Sequence, residues 1–287
     1  MVEPRDHYFE SDRLSLHYVA YGDQSKPPLV LVHGGNDHAR SWDFVAARFT
    51  DKYSVYAPDL RGHGDSDWQS GGAYLVSSYV ADLAHLVELI GRNPVQIVGH
   101  SLGGCVSLEF AISFPESVAK LVTIEGLHSV SSFDRPGLPQ AEQTRLYVEA
   151  IEEFSKRKPR QYASVEAAEQ RMADGNPRLP PKLVRHLTEH AVRQQEDGTY
   201  VWKYDNNVRM IRPLSPKLED AKLLWRGLQT PTLIVSGSEG YLSQLPHRDE
   251  MIGAVPGARS VTVEGAGHWV HHDRFDEFVE IVAEFLD

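Results

Sequence analysis

Gly99-His100-Ser101-Leu102-Gly103 follows the apolar run Pro94-Val95-Gln96-Ile97-Val98 and leads into Gly104-Cys105-Val106-Ser107-Leu108. The pattern G-x-S-x-G is common by chance; a short buried strand before it and a helix after it make it specific. A serine on so sharp a strand-to-helix turn holds its hydroxyl exposed at the carboxyl edge of a sheet. Glycines flank it because side chains there would collide with the neighbouring strand and helix. A serine that merely caps a helix also suits such a turn, but that role leaves the glycines unexplained. Ser101 is therefore the candidate nucleophile.

Outward from this turn, short apolar runs recur at 28–32, 53–57, 94–98, 119–124, 230–235 and 259–263. Uniformly apolar runs of this length suit strands buried on both faces of a parallel sheet. A hairpin is predicted from 7–9 and 14–20, joined through Ser11-Asp12-Arg13. Over 79–90, Val80, Leu83, Val87 and Ile90 recur at helical spacing. Alternating strands and helices imply right-handed crossovers and a doubly wound, mostly parallel α/β sheet. The rhythm breaks from 129 to 227, where the chain is charged, helix-prone at 140–156, 165–173 and 181–193, and punctuated by Pro159, Pro177, Pro180-Pro181 and Pro213. The expected organisation is a core of 1–128 and 228–287 with a helical cap, 129–227, over the carboxyl edge of the sheet, where open α/β sheets bind ligands. A second domain unrelated to the site is the competing reading; two flanking strands of one sheet favour the cap.

The 287 residues carry 29 Lys+Arg against 40 Asp+Glu, a net charge of −11. That balance disfavours nucleic acid or an anionic membrane as a partner and does not identify a substrate. A single cysteine, Cys105, excludes an intrachain disulfide framework and any multi-cysteine metal site. Its place on the apolar side of the helix after the turn predicts buried packing rather than a reactive thiol. The N-terminus lacks the apolar segment of a signal peptide, and no run approaches membrane-spanning length, so a cytoplasmic protein is expected.

A serine hydroxyl needs an adjacent base, and the base needs a carboxylate to fix its tautomer. The histidine is read from Val261-Thr262-Val263-Glu264-Gly265-Ala266-Gly267-His268, a strand and a small-residue loop ending in His268, before a closing helix rich in Phe275, Phe278, Ile281, Val282 and Phe285. His271 and His272 are the alternatives, and a mere surface cluster is the bland one. His17 and His63 suit strand and loop structure better. For the acid there are two candidates. Glu125 ends Leu121-Val122-Thr123-Ile124-Glu125-Gly126, and a charge closing an apolar strand calls for a partner. Glu239, in Ser236-Gly237-Ser238-Glu239-Gly240, is the alternative and needs a shifted loop. For the oxyanion hole, His33-Gly34-Gly35-Asn36 after the strand at 29–32 offers the Gly35 N–H, and Leu102 offers the second donor. His33 is expected to brace the loop, and Asn36 to offer a side-chain donor to substrate.

Taken together, these residues resemble the α/β-hydrolase superfamily across nearly the whole chain: His33-Gly34-Gly35, Asp59-Leu60-Arg61-Gly62-His63-Gly64-Asp65-Ser66, the turn at Ser101, and Gly265-Ala266-Gly267-His268-Trp269. Within it the chain looks like the serine hydrolase-like group, on Ile124-Glu125-Gly126-Leu127, Tyr200-Val201-Trp202-Lys203-Tyr204-Asp205 and Gly237-Ser238-Glu239-Gly240-Tyr241-Leu242. The resemblance gives 59–66 a structural role, so its acids and histidine are not read as metal ligands. In most relatives an aspartate stands where this chain has Gly240. An acid after the strand following the turn also occurs in some haloalkane dehalogenases, which supports Glu125. Those enzymes and epoxide hydrolases use an aspartate nucleophile, so Ser101 argues against dehalogenation and epoxide opening. The resemblance implies hydrolysis of a small carboxylic ester or related acyl compound, with no metal or organic cofactor. Carbon–carbon bond hydrolysis and perhydrolysis run on similar triads, and a non-catalytic receptor retaining the pocket is the rival of another class. Trp202, Tyr204, Trp225 and Phe133 are candidate pocket walls or, equally, core of the cap.

Overall fold

Pro28–Val32 and Ser54–Pro58 are buried at every position, as their largely apolar character requires of strands covered on both faces. The computed structural model describes residues 3–70, 74–127, 139–209 and 218–287. Its first half runs β1 (Arg5–Ser11), β2 (Leu14–Tyr21), β3 (Pro28–Val32), α1 (Asp43–Phe49), β4 (Ser54–Pro58), α2 (Val76–Ile90), β5 (Val95–His100), α3 (Leu102–Ser113) and β6 (Val118–Ile124). The middle holds α4 (Gln140–Ser155), α5 (Val165–Gly175), α6 (Pro181–Ala191) and the short strands β7 (Val192–Gln194) and β8 (Tyr200–Trp202). The chain closes with α7 (Leu218–Trp225), β9 (Thr232–Gly237), α8 (Arg248–Gly253), β10 (Arg259–Val263), α9 (Val270–Asp273) and α10 (Phe275–Leu286).

One sheet, in the order β1-β2-β4-β3-β5-β6-β9-β10, carries the molecule. The β1–β2 and β2–β4 pairings are antiparallel and the other pairings are parallel. The sheet is covered on both faces at its centre, which is what a parallel sheet needs, but β10, expected to be buried like the others, is an edge strand whose first four residues are exposed or half-exposed. Leu83, Leu86, Val106, Phe110 and Trp225 belong to one apolar cluster, and Trp42, Val45, Phe278 and Val282 to another. Helix α2 shows the expected stripe: Val80, Leu83 and Val87 are buried together with Leu86, Ile90 is half-buried, and Gly91 in the left-handed region (φ 65°) ends it.

Within 139–209 the expected helices form as α4, α5 and α6, and the segment also contains the antiparallel pair β7–β8, too short to show a periodicity in the sequence. Helix α7 falls within the interval 129–227 expected to form the cap, yet packs in the core, with Ala221 and Trp225 in the cluster of Phe110. The rest is tied down over the sheet at several points. His38 Nε2 donates to the Leu187 carbonyl at 3.0 Å, and Lys203 Nζ pairs with Asp65 at 2.7 Å. The Tyr74 hydroxyl donates to Asp205 at 2.7 Å. Phe133 and Pro213 lie outside the described residues.

Candidate active site

The strand β5 delivers Ser101 into a turn with φ 50° and ψ −114°, a conformation of high cost for a side-chain-bearing residue, and α3 begins at the next position. The turn is held by its surroundings: the Ser101 N–H donates to the Ile124 carbonyl at 2.8 Å. Close approach explains Gly103. A Cβ there would lie 2.3 Å from the Val32 carbonyl oxygen and 2.5 Å from that of His33, both rigid backbone.

Glu125, at the end of β6, shares the unusual backbone, with φ 52°. Its side chain is fully enclosed, and its two oxygens are separately satisfied. Oε1 accepts the Gly237 N–H at 2.8 Å; Oε2 accepts the Leu242 N–H at 2.7 Å and lies 3.5 Å from His268 Nδ1. With a backbone donor on each oxygen, the carboxylate serves as an acceptor on both sides, the form needed to hold an Nδ1–H imidazole. Gly240 stands where a side chain has no room. A Cβ at Gly240 would meet the Glu125 carboxylate at 2.2 Å. The space of a side chain at 240 is taken by the carboxylate of 125.

Glu239 is elsewhere. Its side chain is exposed and ion-paired to Arg178, on the loop after α5. His271 and His272 are buried, and His271 stacks on Trp42 with ring centroids 4.6 Å apart. Burial holds the His271 imidazole well below the ordinary histidine range, with the neighbouring His272 next in effect, and pushes His272 down to about 3. His268, by contrast, keeps its side chain 41% exposed at the cleft.

Around the turn, two further histidines act as braces. His33 accepts the Leu60 N–H at Nε2 (3.0 Å) and donates from Nδ1 to the Gly34 carbonyl (2.7 Å), so it is neutral with its proton on Nδ1. His100 donates from Nε2 to the His268 carbonyl at 2.9 Å, tying the turn to the loop that carries His268. Burial, first, and the adjacent His268 hold His100 well below its usual range. Asp59 accepts the Ala39 and Asp65 N–H groups at 2.6 and 2.9 Å and pairs with His17 at 2.7 Å. Burial alone would raise its carboxyl; the bond and charge of His17 hold it well below the carboxylate range instead. His17, Asp59 and Asp65 approach one another closely, as do Asp43, His186 and His190. In both groups the carboxylate is already engaged, Asp59 as above and Asp43 by both nitrogens of an Arg40 fork.

These elements open on a cleft of about 1400 Å³ between the carboxyl edge of the sheet and the segment 154–208. Ser101, Glu125, His268, Gly35, Leu102 and Asn36 line it, together with Trp202 and Tyr204 from the cap. Gly35 leaves its surroundings open, with nothing within 4 Å of where a Cβ would stand. Two expectations from the sequence are corrected. Trp225 is not among the cleft-lining residues but is buried in the cluster that packs on α3. Cys105, expected to be buried packing, is only partly covered and lines the cleft one helical turn beyond Ser101. Tyr241, whose ring lies edge-on to His268 at 6.4 Å, is a cleft residue that no local pattern marks in the sequence.

Residues 29–281 match the model of the alpha/beta hydrolase family. The chain belongs to that family. An esterase of Mycobacterium tuberculosis is 27% identical over 263 residues, 92% of this chain and 84% of that protein. Epoxide hydrolase 1 of Caenorhabditis elegans is 25% identical over 295 aligned positions, 98% of this chain and 70% of the relative. Among solved structures, the thioesterase domain from the curacin biosynthetic pathway superposes with a TM-score of 0.88 at 20% identity, covering 98% of this chain and 99% of that one, a likeness of fold. This alpha/beta hydrolase is thus a hydrolase by descent. Among the described residues, no helix is long and apolar enough to cross a membrane.

Proposed function

We propose that the chain is a serine hydrolase that cleaves a small carboxylic ester or related acyl compound through an acyl-enzyme. Ser101 Oγ attacks the carbonyl while His268 Nε2 takes its proton, and Glu125 Oε2 holds the imidazole through Nδ1–H. The Gly35 and Leu102 N–H groups bind the oxyanion as it develops, where fixed donors act with little reorganisation. His268 then returns its proton to the leaving alkoxide, activates water, and the acyl group leaves as the acid. Asn36 and Trp202 contact the bound substrate from the cleft wall.

The observation that carries this proposal is the carboxylate of Glu125 within 3.5 Å of His268 Nδ1, in the cleft that Ser101 also lines. A serine in the strained turn favours acyl transfer over epoxide opening, even with an epoxide hydrolase among the relatives. A fluorophosphonate probe should label the wild-type protein and not Ser101→Ala, and short aryl esters should be hydrolysed with an initial burst. Folded protein that neither labels nor turns over such esters would refute the assignment.

A further inference from the structure

The cleft is lined by five cationic side chains among the described residues, Arg157, Lys158, Arg160, Arg171 and Arg178, all supplied by the cap. In a chain of net charge −11 this is a local reversal of sign. Two carboxylates among the described residues also line the cleft, and both are engaged by backbone donors: Glu125 as described, and Asp273 through the Gly267 N–H at 2.7 Å. Asp273 and the Arg178 guanidinium both border Gly267, so of the five cations Arg178 alone has one of these two cleft carboxylates close by.

The cations differ in what holds them. Arg157 pairs with Glu153 and lies over the Phe154 ring at 4.1 Å; Arg178 pairs with Glu239. Arg160 lies over the Tyr162 ring at 5.4 Å. Lys158 and Arg171 have no hydrogen-bond or ion-pair partner among the described residues. Five positive groups around one opening raise the local concentration of an anion and orient it as it enters. Guanidinium forks match the geometry of carboxylates and phosphates in particular.

From this arrangement we infer that the substrate is an anionic acyl compound, whose carboxylate or phosphate group is drawn to the cationic lining of the cleft, with Lys158 and Arg171 as its unpaired members, while its acyl carbon reaches Ser101. The inference rests on the hydrolase reading of Ser101 for its acyl part, and on the cap charges for its anionic part. A neutral ester would leave those charges unused.

Two measurements test it. The first compares kcat/KM for mono-4-nitrophenyl glutarate with that for 4-nitrophenyl pentanoate, esters of equal chain length differing in one carboxylate. The wild type should favour the glutarate by at least about tenfold in dilute buffer, and the ratio should fall toward one in Lys158→Glu/Arg171→Glu and on raising NaCl to about 0.3 M, where the Debye length is short. Turnover of both esters at equal kcat/KM would overturn the inference and leave the serine-hydrolase proposal intact. The second uses Ser101→Ala, with glutarate and inorganic pyrophosphate as calorimetric probes. Salt-sensitive binding of either, weakened at least about tenfold in Ser101→Ala/Lys158→Glu/Arg171→Glu, supports the anion site, and the tighter probe identifies carboxylate or phosphate. No binding of either overturns it. Because the second measurement needs no turnover, an enzyme inactive on both esters would count against the triad while calorimetry still decided whether the anion site exists.

Discussion

Two neighbouring strand ends each present a glutamate to the same loop region, and the two carboxylates differ in everything that surrounds them. Glu125, after β6, is enclosed, bound by two backbone N–H groups and set beside His268. Glu239, after β9, is exposed and its carboxylate is paired with Arg178. What separates them is packing: the oxygens of Glu125 are assigned by surrounding backbone, whereas Glu239 competes with water. A buried, pre-oriented carboxylate can fix an imidazole; an exposed ion pair contributes little.

The strongest way to break this contrast is to remove Glu125. Glu125→Gly, which also relieves its φ of 52°, should lower kcat for ester hydrolysis by about 10³–10⁴, as loss of the orienting carboxylate does in other triads. It should also lower stability, since the buried Gly237 and Leu242 N–H groups lose their acceptor at about 1–3 kcal/mol each. A urea melt alongside the rates separates the two effects.

The contrast is sharpened by moving the acid. Gly240 does not lie in the left-handed region, and the Glu125 carboxylate is what a Cβ there would strike. Gly240→Asp alone should therefore reduce activity and stability through collision. In Glu125→Gly/Gly240→Asp the new carboxylate should regain at least about tenfold in kcat over Glu125→Gly, a coupling typical of residues in contact. Additive losses in this double-mutant cycle would refute the account of Gly240.

The same division runs through the histidines. Burial lowers His33 and His38 to about 4, and His63 and His272 to about 3. In the unfolded chain they bind protons near pH 6.5, so below that pH the unfolded state holds more protons and stability falls as pH falls toward the folded values, by roughly 1.4 kcal/mol per pH unit for each. The melting temperature should therefore drop steeply from pH 6.5 to 4.5. The smallest effect belongs to Glu239→Gln: less than about 1 kcal/mol in stability, with kcat changed no more than a few-fold.

Local sequence carried much of this molecule by itself. Continuous apolar runs specify strands buried on both faces, and Gly99, Ser101 and Gly103 specify a turn that few other residues can make, because collision and backbone strain act within a few positions. Hence the sheet, the serine and the histidine loop were legible. Charged, helix-prone stretches likewise marked α4 to α6, while β7 and β8, three residues each, were too short to show a period. Tertiary structure alone decided the rest. Which glutamate faces His268, why position 240 holds a glycine, and that Trp225 turns inward while Cys105 faces the cleft all depend on atoms distant in the chain. Oε1 of Glu125 meets a donor 112 residues away, and no local pattern encodes such a distance. The cap charges were visible as letters from 157 to 178; only folding gathered them around one opening.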